Sequence, residues 1–166
     1  MTAEDRLQHA LDLAYRYLGR RDRTVLEMRR HLEGKRVEPS AIDAALRELR
    51  DSGYLDDARY ARRFAEDRRD LDDWGADRIA RRLHAAGVAE EDVAAALGDR
   101  GLEDEREAAV ALLRRRLRGA PRSDRERERA LGILARKGFD LDVAYEAVRA
   151  FEREAVGRPA VVGPLA

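Results

Sequence analysis

Few residues of this chain have the chemistry needed for catalysis or metal binding. Cysteine is absent, the serines are Ser40, Ser52 and Ser123, and the histidines are His9, His31 and His84. The histidines lack the H-x-x-x-H spacing that would place two ligands on one helix face, and no glycine-rich phosphate loop is present. The adjacent carboxylates Asp56–Asp57 and Asp72–Asp73 are explained by helix capping. We therefore expect no enzymatic activity, cofactor or metal.

Arginine is the residue type best suited to binding here, because its planar guanidinium forms paired bonds with carboxylate or phosphate. Of the 34 cationic residues, 32 are arginine, a bias that a GC-rich genome would also produce. The candidate protein- or DNA-binding cations form four clusters: Arg20, Arg21 and Arg23; Arg29, Arg30, Lys35 and Arg36; Arg78, Arg81 and Arg82; and Arg114, Arg115, Arg116 and Arg118. For each arginine the alternative is a solvated helix face with local ion pairs. That alternative fits the last cluster least well, because no acidic residue lies between Glu107 and Asp124.

The composition predicts amphipathic helices rather than a β-sandwich or barrel. Hydrophobic residues make up 44% of the chain, aromatic residues only 5% and charged residues 41%. The formal net charge is zero, but residues 1–55, 56–106 and 107–166 carry +1, −5 and +4. The basic last third is therefore suited to a polyanion, which the acidic middle would repel.

Four apolar columns recur at an offset of 51 residues. They are Leu32, Leu83 and Leu134; Val37, Val88 and Phe139; Ala45, Ala96 and Ala147; and Leu46, Leu97 and Val148. Columns in register indicate copies of one unit. We predict an all-α fold of three tandem three-helix repeats, each resembling a helix-turn-helix unit, packed end to end into an elongated body, curved or straight. The predicted repeats span 1–54, 55–101 and 102–154, followed by a disordered tail, 155–166.

Glycine marks the end of the second helix in two of the copies. If Gly87 and Gly138 follow their helices in the left-handed conformation, Val88 and Phe139 complete the hydrophobic pair of a Schellman cap. The first copy has Arg36 at this position, so we expect its turn to be built differently.

The boundary between the first two copies carries a helix-start signal. Gly53 ends one helix, Leu55 precedes the next, and Asp56 is its predicted N-cap. Tyr60 then falls where it would complete a hydrophobic staple with Leu55.

The longest apolar run, Ala108–Leu113, is too short to span a bilayer, and residues 1–6 are polar without a signal-peptide pattern. These features predict a cytoplasmic protein. No heptad seam is present, so we expect a monomer.

A longer pattern resembles a known family. The run contains Leu49, Gly53, Tyr54, Leu55, Asp56, Asp57, Tyr60 and Ala61, then Trp74, Gly75, Arg78, Ile79, Leu83, Gly87 and Val88. Upstream residues Arg23, Thr24, Glu27 and Leu32, and the later Arg136–Phe139, fit the same pattern. Over about residues 8–151 the chain resembles the RecX family of recombination regulators. Its most specific part is the G-Y-L-D-D run, whose residues capping and packing explain better than partner contact.

The resemblance implies three tandem three-helix units and binding to the RecA recombinase and its filament on DNA. It also implies that the chain modulates, and mainly inhibits, recombination, ATP hydrolysis and co-protease activity, with direct DNA contact an open question. Two alternatives remain: a tandem helix-turn-helix DNA-binding regulator and a helical scaffold for an unrelated protein. The acidic, alanine-rich third helix of the second copy disfavours the first.

Overall fold

In the computed structural model, residues 1–158 are described, and this part of the chain is helical with no strand. The helices are α1 (Ala3–Leu18), α2 (Val25–Gly34), α3 (Pro39–Asp51), α4 (Asp57–Asp72), α5 (Ala76–Ala85), α6 (Glu90–Gly98), α7 (Leu102–Arg116), α8 (Asp124–Lys137) and α9 (Leu141–Gly157). The predicted all-α fold of three-helix repeats is confirmed.

The 51-residue period is visible in the helix boundaries. The third helices of the three repeats begin at Pro39, Glu90 and Leu141, which are 51 residues apart. The leucine column has no exposed surface, and Ala45, Ala96 and Ala147 are equally buried. Each repeat therefore buries the same positions, because an amphipathic helix turns these faces toward its own core.

Both predicted Schellman caps are present. Gly87 and Gly138 have φ angles of +84° and +91°. The Val88 N–H donates to the Leu83 carbonyl over 3.1 Å, and the Phe139 N–H makes the same bond to Leu134 over 3.0 Å. These bonds satisfy helix-end carbonyls that would otherwise lack partners.

The expectation for the first repeat was wrong. Arg36 adopts a φ of +59°, the Val37 N–H donates to the Leu32 carbonyl over 3.1 Å, and the Arg36 N–H donates to Glu33. The turn after α2 is thus the same Schellman cap, formed without glycine. The hydrogen bonds and the Leu32 column impose this geometry although a side chain disfavours it.

Replacing Arg36 with glycine should raise the free energy of unfolding by about 1 kcal/mol, because glycine adopts positive φ without the Cβ penalty. Urea denaturation of both proteins would measure the gain. Lys35→Gly is the matched control, since Lys35 has a φ of −85° and should gain nothing. Equal gains in both variants would contradict this explanation.

The end of α9 differs from the predicted repeat boundary. The helix continues through Gly157, three residues past the predicted end at 154. Phe151 is buried and Glu154 pairs with Arg114 of α7, so the last turns pack against the rest of the repeat. Residues 159–166 of the predicted tail lie outside the described residues.

The chain divides into two compact units: residues 1–66 with 80–98, and residues 67–79 with the chain from 99 onward. The first contains a core formed by α1, α2 and α3, and the second a core formed by α7, α8 and α9. Two of the three breaks fall inside helices, in α4 and α5, and the third follows the end of α6. Helices α4 and α5 are therefore divided between the two units, whereas α6 belongs wholly to the first.

Candidate interaction surfaces

In the first compact unit, the start of α2 contacts the turn between α5 and α6. The Thr24 hydroxyl donates to the Ala86 carbonyl over 2.6 Å. The N–H of Val25, the first residue of α2, donates to the Asp57 carboxylate of α4 over 3.0 Å. These bonds satisfy polar groups at both helix ends and join the first repeat to residues of the second.

In the second compact unit, corresponding contacts recur 51 residues later for the start of the second helix and the turn, whereas the acidic partner comes 48 residues after Asp57. The Gly75 N–H donates to the Lys137 carbonyl over 2.8 Å, and the Ala76 N–H donates to the Glu105 carboxylate of α7 over 2.8 Å. In both units a turn from the next repeat and an acidic residue from its first helix hold the start of a second helix. The repeats are therefore joined by one recurring set of contacts.

Glycine is required in these contacting turns for a second reason besides its φ angle. A Cβ added to Gly87 would lie 2.5 Å from Leu26, and one added to Gly138 would lie 2.1 Å from the Arg78 Cβ. Both distances are far below van der Waals contact, so any side chain would force the partner helix away.

The G-Y-L-D-D run forms the α3–α4 connection. Gly53 has a φ of +80°, and Leu55 is buried with its N–H donating to the Leu49 carbonyl over 3.0 Å. Asp56 accepts a 3.0 Å bond from the Arg59 N–H, which confirms it as the N-cap of α4. Asp57 instead reaches Val25. The run therefore positions a contact between repeats as well as a turn.

Two tyrosines in and near this run differ in exposure. Tyr54 is 56% exposed and meets Tyr15 edge to face, with ring centroids 5.3 Å apart. Tyr60 is half-buried and stacks near Phe64, and its partial burial raises the pKa of its hydroxyl. The predicted staple between Leu55 and Tyr60 stays a prediction.

Burial raises the pKa of Asp57 above its ordinary value, against the lowering effect of the Val25 N–H. Because the unfolded chain loses this proton at lower pH, the residue costs stability as pH rises above its unfolded pKa. Asp57→Asn keeps an oxygen acceptor for Val25 and removes the charge. We expect its stability relative to the parent to increase between pH 4 and 7. Thermal melts across that range test this, and a constant difference would contradict it.

Several predicted binding cations of the first repeat already have partners. Arg21 pairs with Glu27 and Arg29 with Asp43, each at 3.0 Å, and the Glu27 carboxylate raises the pKa of Arg21. Exposed pairs of this kind contribute little to stability. They also leave these two guanidinium groups less able to meet a partner.

The structure brings other cations of this repeat together around His31. The His31 ring stacks on Tyr17 at 3.8 Å, and the Arg23 guanidinium covers Tyr17 at the same distance. Burial lowers the pKa of His31, helped by the positive charges of Lys35, Arg23 and Arg20. This basic cluster forms a local positive surface. Arg30 and Arg36 are also exposed, and neither forms an ion pair within residues 1–158.

The cations of α5 have different roles. Arg78 covers the Trp74 ring at 4.1 Å and donates to the Arg136 carbonyl over 3.1 Å, which makes it part of the contact between repeats. Arg81 and Arg82 are exposed. Arg78 is therefore better explained by packing than by partner binding, and the other two stay candidates.

The run from Arg114 to Arg118 separates into paired and unpaired residues. Arg114 pairs with Glu154, whose pKa the guanidinium holds below its usual value, and Arg115 pairs with Asp73. Arg116 and Arg118 are exposed and pair with no carboxylate of the described chain. Both line an open cleft of about 570 Å³ beside the α7–α8 connection.

Sequence reasoning missed two further arginines in that cleft, Arg122 and Arg129. Their signal was present, because the basic last third of the chain includes them, but nothing in the linear pattern placed them beside Arg116. Within residues 1–158, no group of three or more His, Cys, Asp and Glu side chains could hold a metal, and no helix is long and apolar enough to cross a membrane.

Three family models match the chain in order. They describe the first, second and third three-helix domains of RecX and match residues 10–49, 56–97 and 103–148. The chain belongs to the RecX family. The predicted resemblance is confirmed, including its third domain.

Several relatives carry the name Regulatory protein RecX. The Thermus thermophilus RecX is 36% identical over 148 residues, spanning 89% of this chain and 96% of its own length. The Stenotrophomonas maltophilia RecX is 34% identical over 86% of this chain and 85% of its own length. Other RecX proteins are longer, and the match spans 58% of the one from Bacillus subtilis.

Solved RecX structures share the fold. The crystal structure of RecX from Lactobacillus salivarius superimposes with a TM-score of 0.80 at 21% identity, covering 90% of this chain and 99% of that one. A second RecX crystal structure gives 0.74 at 26% identity, covering 89% of this chain and 73% of that one. This chain therefore shares the fold of those two RecX structures.

Proposed function

We propose that this chain binds the RecA recombinase and its filament on DNA, and that it mainly inhibits recombination, ATP hydrolysis and co-protease activity. The observation that carries the proposal is the ordered match to all three RecX domains. Its relatives over nearly the whole chain are named as regulatory proteins. We further propose that it acts in the cytoplasm as a monomer, without catalysis of its own.

The distribution of charge suggests how binding is divided among the repeats. The first repeat carries the basic cluster around His31, and the third carries the arginine-lined cleft. Helix α6 of the middle repeat begins instead with Glu90, Glu91 and Asp92 in its first turn, the two glutamates exposed and Asp92 half-buried. We propose that the basic surfaces meet DNA or acidic RecA surface, and that the acidic helix meets basic protein loops.

RecA-dependent ATP hydrolysis on single-stranded DNA tests the proposal. The protein is titrated below one molecule per RecA at two salt concentrations, and DNA binding is measured in parallel without RecA. We expect inhibition at substoichiometric amounts that weakens as salt increases, because exposed charge pairs are screened. Absence of inhibition, together with tight sequence-selective DNA binding, would overturn the proposal in favour of a helix-turn-helix regulator.

A further inference from the structure

The connection between α7 and α8 separates two open clefts in the second compact unit. The first, about 570 Å³, is lined by Arg116, Arg118, Arg122 and Arg129. The second, about 430 Å³, is lined by the same connection and by residues of α9. Leu117, Arg118, Gly119 and Ala120 line both clefts. One short segment thus forms a shared wall, and Arg118 is available to a ligand on either side.

The first cleft has an excess of positive charge, with four arginines and one acidic residue in its lining. All four of its arginines are exposed, and none of them pairs with a carboxylate of the described residues. One acidic residue, Glu126, also lines the cleft, but its carboxylate already accepts a 2.6 Å bond from the Arg122 backbone N–H. Because like charges held close together repel, an anion bound here would relieve a local cost.

The second cleft continues this positive surface. It is lined by Arg114, Arg118 and Arg158, with Glu154 as its acidic residue. The Glu154 carboxylate is engaged by Arg114, and its charge also attracts Arg158, so the lining of this cleft keeps a net positive charge to which Arg118 contributes without an ion pair in the described residues. A ligand with one charge would fill only one cleft, whereas a flexible ligand with repeated charges could occupy both.

The lining also indicates which part of such a ligand is bound. Phe151 is the aromatic residue in the two linings, and it is only 8% exposed, so no ring is presented for base stacking. Arginine forks match phosphate oxygens in geometry and charge. A nucleic acid strand carries one phosphate per roughly 3.4 Å along a duplex axis, and an unpaired strand bends easily enough to pass over the wall.

We propose that these clefts bind the phosphodiester backbone of single-stranded nucleic acid without reading its sequence. The inference deepens the proposed function and rests on it for its setting, since it names the surface that would meet DNA. It differs from a general basic patch because it assigns binding to particular arginines. Arginines elsewhere on the same unit have no part in it.

The test is fluorescence anisotropy of a labelled thirty-nucleotide poly(dT) strand with the full chain and no RecA. Arg118→Gln/Arg122→Gln removes two cleft charges, and Arg149→Gln/Arg153→Gln removes two exposed charges on α9 outside both clefts. We expect the cleft variant to bind about tenfold more weakly at moderate salt. The slope of the logarithm of its binding constant against the logarithm of salt concentration should be smaller in magnitude by about 1.4, the value for two lost phosphate contacts on a single strand. The control should retain most of the affinity.

Further measurements keep the result specific. Arg118→Lys/Arg122→Lys should keep the parent salt slope, because it preserves the charge, and circular dichroism would confirm that every variant folds. Equal losses in the cleft and α9 variants would overturn the assignment. Competition by poly-L-glutamate as effective as by poly(dT), or tighter binding of a duplex of the same length, would also overturn it.

The cleft assignment and the proposed function can each be contradicted without contradicting the other. Inhibition of RecA with unchanged poly(dT) binding in the cleft variant would contradict the cleft assignment alone. Loss of poly(dT) binding in that variant, without RecA inhibition by the parent, would contradict the regulatory function alone.

Discussion

Replacing Gly138 with alanine is expected to lower the free energy of unfolding by about 3 kcal/mol or more, because overpacking is added to backbone strain. The new Cβ would lie 2.1 Å from the Arg78 Cβ and 2.7 Å from its backbone nitrogen. Backbone atoms cannot rotate away as a side-chain end can. The start of α5 would therefore have to move, breaking its hydrogen bonds to Lys137 and Gly138. Chemical denaturation followed by circular dichroism measures the loss.

Gly53→Ala is the matched control for this substitution. Gly53 has a similar positive φ of +80°, but a Cβ there would meet no atom within 4 Å. Its cost should be the conformational strain alone, about 1 kcal/mol. The difference between the two variants then reports the close approach of two repeats. Equal costs would show that this approach relaxes without penalty.

Replacing Glu105 with alanine is expected to cost about 3 kcal/mol, because it leaves a buried charge without its partner. Glu105 is 5% exposed and accepts the Ala76 N–H over 2.8 Å. The Arg100 Nε lies 2.7 Å from its other oxygen, close enough for an ion pair although its N–H is not aligned for a hydrogen bond. Alanine would therefore leave both a mostly buried guanidinium and a helix-end N–H without their partner.

Glu105→Gln separates these two losses. The amide oxygen can still accept the Ala76 N–H, whereas the attraction to Arg100 is lost, so glutamine should cost less than alanine. Denaturation curves of the two variants in parallel give the comparison. If glutamine cost as much as alanine, the ion pair would account for the whole effect and the bond to Ala76 for none of it.

The repeat could be predicted because its signal is periodic. Leu32, Leu83 and Leu134 share one environment, and two glycines at the same offset specify the same cap. The error at Arg36 came from treating glycine as necessary for that cap. The structure shows that local hydrogen bonds can hold a residue with a side chain at positive φ. Glycine is required only where another helix approaches the turn closely.

Contacts between distant residues could not be predicted from one sequence. Arg114 appeared free of acidic neighbours because Glu154 is 40 residues away, and Asp73 reaches Arg115 from 42 residues upstream. Arg122 and Arg129 line the cleft only because of the way the α7–α8 connection folds. The sequence indicated which residue types would bind. Their grouping depends on tertiary contacts, which leave no local pattern.

The recurring contacts between repeats also determine how many copies such a chain can hold. A copy added before the first would receive the turn at Arg36, where a side chain occupies the position that Gly87 and Gly138 keep open. A copy added after the third would meet α8, which starts at Asp124 with its own Ser123 cap, three residues earlier than the offset from Ala76 requires. The turn at Arg36 would therefore need a glycine before another second helix could approach it as closely as Leu26 approaches Gly87.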